Sequence, residues 1–444
     1  MNTMLRYTPG QKTPQFKTHF RFYNQDILQH AEQCNGSGDC RKTSLSGGTM
    51  CPSYMATRNE KDTKRARANI LREFLTSSDK INRFNHQEIY EVMDLCLSCK
   101  GCKSECPSNV DVAKLKAEFL QHYYDENGVP FRSKLIAGFS SSSALGSLWP
   151  AGYNFLVKNS FTGKLIKNVS GFALDRSMPT LYKTTLSAWN KGRTKKTAPN
   201  KGSVYFFCDE FTNFNDTEIG IKAIQLLETL GYEVIVPKHL ESGRAWLSKG
   251  LLKGAKKIID QNIQLLAPLV SKEKPLIGLE PSAILTFRDE YIDLCSEENF
   301  DQAKQLAQHV YTIEEFLAQE IAKGAINSSL FSKENKSIKL HGHCQQKALS
   351  SLQPTVSLLS LPENYKVEVI PSGCCGMAGS FGYEKEHYDL SMKIGDLVLF
   401  PAVKNATPGT IIAAPGTSCR HQVKDGTGVI AKHPVEILYE ALVK

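Results

Sequence analysis

Residues 96–107 read Cys96-Leu-Ser-Cys99-Lys-Gly-Cys102-Lys-Ser-Glu-Cys106-Pro107, a C-x2-C-x2-C-x3-C-P run. Three thiolates at this spacing wrap one corner of a cubane, and Gly101 lets the backbone come close to its sulfides. Soft thiolates select iron–sulfur clusters or zinc. A zinc site expects separated C-x2-C pairs, whereas this run is the pattern of a cluster-binding loop in which the cysteine before proline ligates a second cluster. The stretch therefore predicts a small domain folded around iron and sulfide.

A degenerate copy lies upstream: Cys34-Asn-Gly-Ser37-Gly-Asp-Cys40, then Cys51-Pro52 after ten residues. Laid over the first motif, Cys34 matches Cys96, Cys40 matches Cys102 and Cys51-Pro52 matches Cys106-Pro107. Ser37 stands where Cys99 stands. The crossing rule makes Cys51 the fourth ligand of a 4Fe-4S cluster on Cys96, Cys99 and Cys102. The other site keeps Cys34, Cys40 and Cys106 and is one thiolate short. Ligation through the Ser37 oxygen, a three-iron cluster, and a vestigial site of buried thiols all stay open, with oxygen ligation disfavoured by softness.

Helical periodicity flanks the cysteines. Segment 63–75 places Ala66, Ile70, Leu71, Phe74 and Leu75 on one stripe, with basic residues on its other faces. Those charges read as a solvated surface, or as charge and hydrogen bonds offered to cluster sulfur. Segment 87–96 carries Ile89, Val92, Met93 and Cys96 on a stripe, and a third helix is expected from about Asp111 to Tyr124. Residues 1–130 thus read as a helical ferredoxin-type domain. Residues 131–200 read as a helical connector rich in Ser, Gly and Pro. Within it, Ala144–Val157 is the most apolar and aromatic piece; Pro150 and two glycines interrupt it, and it reads as buried or partner-facing.

Residues 201–444 change texture. Short strands alternate with helices, which implies parallel sheets. The order repeats: SVYFFC, YEVIVP and PLIGLEP in the first half (about 201–330), SIKLHGHC, YKVEVIP and TIIAAPG in the second (about 331–444). Cys208 aligns with Cys344. The fold class is therefore α+β multidomain: a helical two-motif domain followed by an α/β cysteine-rich domain of two similar halves. Cys344, Cys374, Cys375 and Cys419 fall just past the C-terminal ends of predicted strands, where open α/β sheets bind ligands. His341, His343 and His421 lie beside them, as groups that support the thiols or exchange protons. A metal, a cluster, a redox dithiol, or buried cysteines lining the repeat interface are the readings. Cys295 reads as a core thiol.

Thirteen cysteines and no apolar leader point to a reducing, cytoplasmic setting, where clustered thiols bind metal rather than pair. The formal net charge of +9 is modest for 444 residues, and no zinc finger or RNA-binding motif accompanies it, so nucleic acid is not expected as a partner. No run of 18 apolar residues is present, so no membrane span is expected; peripheral contact with the inner membrane is compatible with the sequence.

Taken together, CNGSGDCRK, GGTMCPSY, TKRARANILRE, CLSCKGCKSECP, HGHC, SGCCGMAGSFGYE and GTSCRHQ resemble the iron–sulfur half of FAD-linked oxidases acting on D-2-hydroxy acids such as D-lactate, glycolate or D-2-hydroxyglutarate. The last three motifs resemble the cysteine-rich CCG domain of heterodisulfide reductases and of the anaerobic glycerol-3-phosphate dehydrogenase iron–sulfur subunit. The resemblance runs from about Leu5 and implies an electron-transfer component of an oxidoreductase. FAD would sit on a partner subunit or a fused upstream domain, and a quinone or other carrier would accept the electrons. The family's flavin domain is not in these residues, and the opening MNTMLRYTPGQ looks like sequence that follows such a domain. CCG domains commonly end in C-x2-C, whereas Gly416-Thr-Ser-Cys419 keeps one thiol. Two other classes remain in view: a heterodisulfide-reductase-like thiol/disulfide oxidoreductase, and a non-catalytic metal-stabilised assembly module.

Overall fold

A computed structural model describes residues 13–194 and 200–443. The chain's opening stretch and part of the basic run at 193–196 lie outside the described residues. Among the described residues, seven short strands carry the α/β part: β1 Ser203–Phe207, β2 Glu233–Ile235, β3 Leu276–Gly278, β4 Val310–Thr312, β5 Lys336–Leu340, β6 Tyr365–Val369 and β7 Ile411–Ala413. All pair in parallel, in sheets ordered β2-β1-β3-β4 and β6-β5-β7. The first strand of each half is central, flanked by the second and third. This is the internal repeat of the sequence, with β4 as an addition that three-residue periodicity could not signal.

The helical stretches at 243–267 and 388–404 are each broken in two, Arg244–Ser248 with Leu252–Leu266 and Tyr388–Asp396 with Leu399–Lys404. Gly250, at φ 68°, stands at the first break.

The N-terminal part is helical, as expected. Thr63 caps helix Lys64–Ser77 by accepting from the Ala66 N–H at 3.0 Å, and Asp111 caps Val112–Asn127 through the Ala113 N–H at 3.0 Å. The buried face of Lys64–Ser77 differs from the expected stripe. It comprises Lys64, Arg67, Ala68, Leu71 and Leu75, while Ala66, Ile70 and Phe74 are only half-buried. Two cations are turned inward because cysteine sulfur is there to meet them, Cys106 for Lys64 and Cys51 for Arg67.

One apolar core continues from this helical part into the first sheet. It runs from Phe20, Leu28, Leu71 and Phe119 to Ile259, Leu276 and Phe287. A buried ionic network crosses the same seam. Asp289 meets Lys100, Lys103 and Lys114; Lys114 also reaches Asp293 at 2.7 Å, and Glu290 pairs with Lys100 at 3.0 Å and Arg244 at 2.7 Å. Lys100 and Lys103 come from the C-x2-C-x2-C-x3-C-P loop, so this network holds that loop on the α/β part. Among the described residues no helix is long and apolar enough to cross a membrane.

Candidate metal centres

The loop around Cys99 bends through two non-glycine residues at positive φ, Ser98 at 51° and Lys100 at 60°. Such backbone is costly and persists where the surroundings enforce it. Here it folds the loop so that its thiols converge. Lys116 fastens the entry by donating to the Cys96 carbonyl at 2.7 Å and the Asp94 carbonyl at 3.0 Å.

Cys51 belongs to the same group. Glu105, at the end of the motif's short helix, accepts from the Thr49 N–H at 2.6 Å and the Met50 N–H at 3.1 Å. This docks the loop before Cys51 onto the Cys96–Cys106 run. Burial pushes the Cys51 thiol up; Arg67 pulls it down and Cys96 adds to the rise. Burial likewise raises Cys99 far above its ordinary range, reinforced by Cys344, Cys51 and Cys102. Burial raises Cys102, with Asp111 and Cys96 acting in the same direction. Four thiols that repel one another's charge need a cation among them to ionise together. The donor set therefore fits an iron–sulfur cluster, with further N–H donors aimed at sulfur: Arg67 Nη1 lies 3.3 Å from Cys51 Sγ, and the Gly101 and Val112 amides face Cys99 and Cys102.

The other set is arranged differently. Ser37 is exposed and its hydroxyl donates to the Asp39 carboxylate at 2.9 Å. Cys40 Sγ accepts from the Arg65 N–H at 3.4 Å. Cys106 Sγ is met by the buried Lys64 ammonium and by the Ser108 N–H at 3.3 Å. Burial pushes Cys106 up, but Lys64 and the Val110 and Ser108 amides outweigh it and hold the thiol below its ordinary range. Cys34 is half-buried against the core.

The C-terminal thiols form a chain. Cys344 follows β5, Cys374 and Cys375 follow β6, and Cys419 follows β7, all buried. Contact with the Cys374 thiol draws Cys344 down to about 6, against its burial. Contact with Cys374 and Cys419 likewise lowers Cys375, and those two partners rise. Lys347 donates to the Ser372 carbonyl at 2.8 Å and to the Gly373 carbonyl, pinning the Cys374 loop. Gly373 lets this loop lie on the segment before Cys51; a Cβ there would sit 2.7 Å from the Gly48 carbonyl oxygen.

His341 completes a compact group with Cys375 and Cys419, whose ligand atoms all lie within 4.8 Å of one another. Its Nδ1 lies 2.7 Å from Ser372 Oγ, whose hydroxyl is oriented toward the Ile370 carbonyl at 3.5 Å. Nε2 is buried, and the Cys375 thiol is the ring's other partner, opposing the downward push of burial on His341. An imidazole nitrogen beside two thiols fits a single soft ion. His343 and His421 are placed otherwise. His343 caps helix Cys344–Leu349 through the Gln345 N–H at 3.3 Å, and His421 Nδ1 pairs with the Tyr383 hydroxyl at 2.6 Å. Cys208 has Ser187 and Asn213 beside it, and Cys295 is a buried thiol against Arg21.

The two thiol sets are neighbours. Cys344 acts on Cys99, and Leu97, Cys344, Cys374 and Phe381 share one apolar cluster with Cys99 packed against it. Sequence could not foresee this adjacency, because 245 residues separate the two cysteines. Beside Cys96 opens a cavity of about 170 Å³, lined by Asp94, Lys249, Arg132, Phe381 and His387. His387 Nε2 pairs with Asp94 at 2.7 Å, and its ring stacks on Phe381 at 4.2 Å.

Fold and thiol geometry define an iron–sulfur protein with a cysteine-rich α/β domain, and residues 33–111 match the 4Fe-4S dicluster domain family. Over 94% of its length the chain is 26% identical to D-2-hydroxyglutarate dehydrogenase of Haemophilus influenzae, covering 44% of that protein. It is 25% identical to a subunit of the anaerobic glycerol-3-phosphate dehydrogenase of Escherichia coli, over 60% of this chain and 66% of that one. It is 22% identical to the Escherichia coli glycolate oxidase iron-sulfur subunit, over 98% and 99%. The chain therefore resembles the iron–sulfur half of such oxidases, as its motifs imply. It spans less than half the length of the D-2-hydroxyglutarate dehydrogenases it matches.

Proposed function

We propose that this chain is the electron-transfer component of a flavin-dependent D-2-hydroxy-acid dehydrogenase, with Cys51, Cys96, Cys99 and Cys102 holding a 4Fe-4S cluster. The observation that carries this reading is the convergence of those four thiols with Arg67 donating to sulfur. When bound, the cluster supplies reversible one-electron transfer. The residues around it set its surroundings: Arg67 and the Gly101 and Val112 amides offer hydrogen bonds to sulfur, and the positive-φ loop fixes the thiols. The flavin belongs to a partner subunit or fused domain, and the cavity beside Cys96 is where a quinone or other small carrier would approach. Anaerobic iron and sulfide analysis tests the reading: about four irons per chain supports one cubane, and zinc without iron would overturn it. Replacing Arg67 with lysine withdraws the donor from Cys51 Sγ. The midpoint potential should fall by roughly 60 mV, a tenfold step for a one-electron couple, as read by redox titration of the EPR signal.

In the C-terminal set, Cys375, Cys419 and His341 would hold one metal ion, with Cys344 and Cys374 beside it. His341 then acts as a ligand rather than a supporting group. His341→Ala should lower affinity for zinc added to apoprotein by more than the roughly 10–100-fold that loss of a supporting group costs, measured by competition with a chromogenic chelator. An unchanged affinity would return His341 to a structural role. The same site bears on the thiol/disulfide alternative, which requires Cys344 and Cys374 free to react; inert thiols under a disulfide substrate would exclude it.

A further inference from the structure

Residues 131–174 fold into helices turned inside out. Apart from Val157, their buried positions are small, among them Ala137, Ser143, Gly152, Gly163 and Ser170. Gly163 sits so close to the preceding helix that a Cβ would fall 2.7 Å from the Val157 carbonyl oxygen. The large apolar side chains point outward instead, with Leu145 71% exposed, Leu148 82%, Trp149 71%, Phe155 65%, Phe161 77% and Val169 71%. Among the described residues, eleven of the twenty exposed large apolar side chains lie in this tenth of the chain. Surface helices ordinarily bury that face. The sequence reads Ala144–Val157 as buried or partner-facing; Leu145, Leu148, Trp149, Phe155 and Leu156 are exposed and only Val157 among its bulky aliphatic residues is buried, which leaves the partner-facing reading.

The charge of the segment says what covers it. Between Glu126 and Asp175 there is no acidic residue, and there are five basic ones. Arg132 is held by Glu384 and Glu386, and Lys167 donates to the Leu174 carbonyl. Lys134, Lys158 and Lys164 are exposed. Protein interfaces are depleted in lysine. Exposed Trp, Phe and Leu among lysines, with no acidic residue, is the composition of a helix lying in a lipid headgroup layer.

We propose that residues 131–174 form a peripheral membrane-docking surface that inserts Leu148, Trp149 and Phe161 into the interface of an anionic phospholipid bilayer. Lys134, Lys158 and Lys164 meet the headgroups. The proposal stands apart from the electron-transfer reading, since it needs neither cluster nor flavin. It would place the cavity beside Cys96, whose rim includes Pro130, Arg132 and Ser133 at the start of this segment, near the bilayer.

The test is co-sedimentation of the full, cluster-loaded chain with vesicles of phosphatidylcholine containing about one third phosphatidylglycerol, run beside sedimentation velocity without lipid. The wild-type chain should pellet with these vesicles and bind pure phosphatidylcholine at least about tenfold more weakly. The doubly substituted Leu148→Asp/Phe161→Asp chain should lose about tenfold in binding, and Ile81→Asp, at an equally exposed site elsewhere, should not. Iron content and circular dichroism equal to wild type would show the variants folded. A wild-type chain that ignores anionic vesicles overturns the proposal. So does a lipid-free dimer that Leu148→Asp/Phe161→Asp dissociates, which would assign the face to a second copy, or vesicle binding that survives the double substitution.

Discussion

Replacing Asp289 with alanine is expected to destabilise the protein by about 3–5 kcal/mol, the cost of removing one partner from a buried ion pair. Its carboxylate lies among Lys100, Lys103 and Lys114, and Lys100 and Lys114 are themselves buried. Alanine would leave them with Asp111, Glu290 and Asp293, which cannot replace a carboxylate placed between them. The effect should depend on pH. Burial opposes ionisation of Asp289, yet Lys100, Lys114 and Lys103 hold it far below the ordinary carboxylate range. A folded-state value below the unfolded one means that acid protonates the unfolded chain first. Its contribution is complete above about pH 5 and is lost as pH falls through the folded value. Burial would lower Lys100 and Lys114, but their carboxylates raise both. Their contribution is complete below the ordinary lysine range near pH 10 and is lost only above it. Urea midpoints of wild type and Asp289→Ala should therefore differ most between these limits and converge as pH drops below about 4. A variant as stable as wild type at pH 7 would show that the network does not hold the two parts together.

That network marks where sequence reading stopped. The C-x2-C-x2-C-x3-C-P run, the halves and the order of their strands were all legible, because spacing and alternation are local signals. Lys100 and Lys103 were legible only as surface charge within a cysteine motif. Their partners Asp289 and Glu290 lie almost 190 residues away, and no periodicity links them. Arg67 shows the same limit in a milder form. Segment 63–75 offered its charge to sulfur as one reading, but apolar stripe counting put Ala66 and Ile70 inward. The structure turned Lys64 and Arg67 inward instead, because a buried cation beside thiol sulfur is compensated where one in apolar surroundings is not. His341 was legible as a neighbour of the cysteines. That Ser372 takes its Nδ1 and leaves the rest of the ring to the thiols rests on a contact between residues 31 apart.

The sharpest consequence of the proposed crossed ligation is an asymmetry between two cysteines that each precede a proline. Cys51→Ala should abolish the four-iron signal, while Cys106→Ala should leave it in place. The motif containing Cys96, Cys99 and Cys102 also contains Cys106, so ligation confined to one run would predict the reverse. Cys51 reaches the group because Glu105 docks its loop, and its thiol senses Cys96. Cys106 is met instead by the Lys64 ammonium, which offers the positive charge a thiolate needs. Iron per chain should fall by about four in Cys51→Ala, with loss of the broad visible absorbance, and by at most three in Cys106→Ala, the content of a three-iron centre on the incomplete set. Ser37→Cys extends the test. It supplies the thiolate that the incomplete set lacks, at an exposed position where the hydroxyl now donates to Asp39. If Cys34, Cys40 and Cys106 can close around iron once a fourth thiolate is present, this variant gains iron over wild type. If the Lys64 ammonium has taken the place of metal at Cys106, iron stays at about four and only Lys64→Ala/Ser37→Cys together raises it. Loss of the whole signal in Cys106→Ala, with Cys51→Ala retaining it, would reverse the assignment of both cysteines.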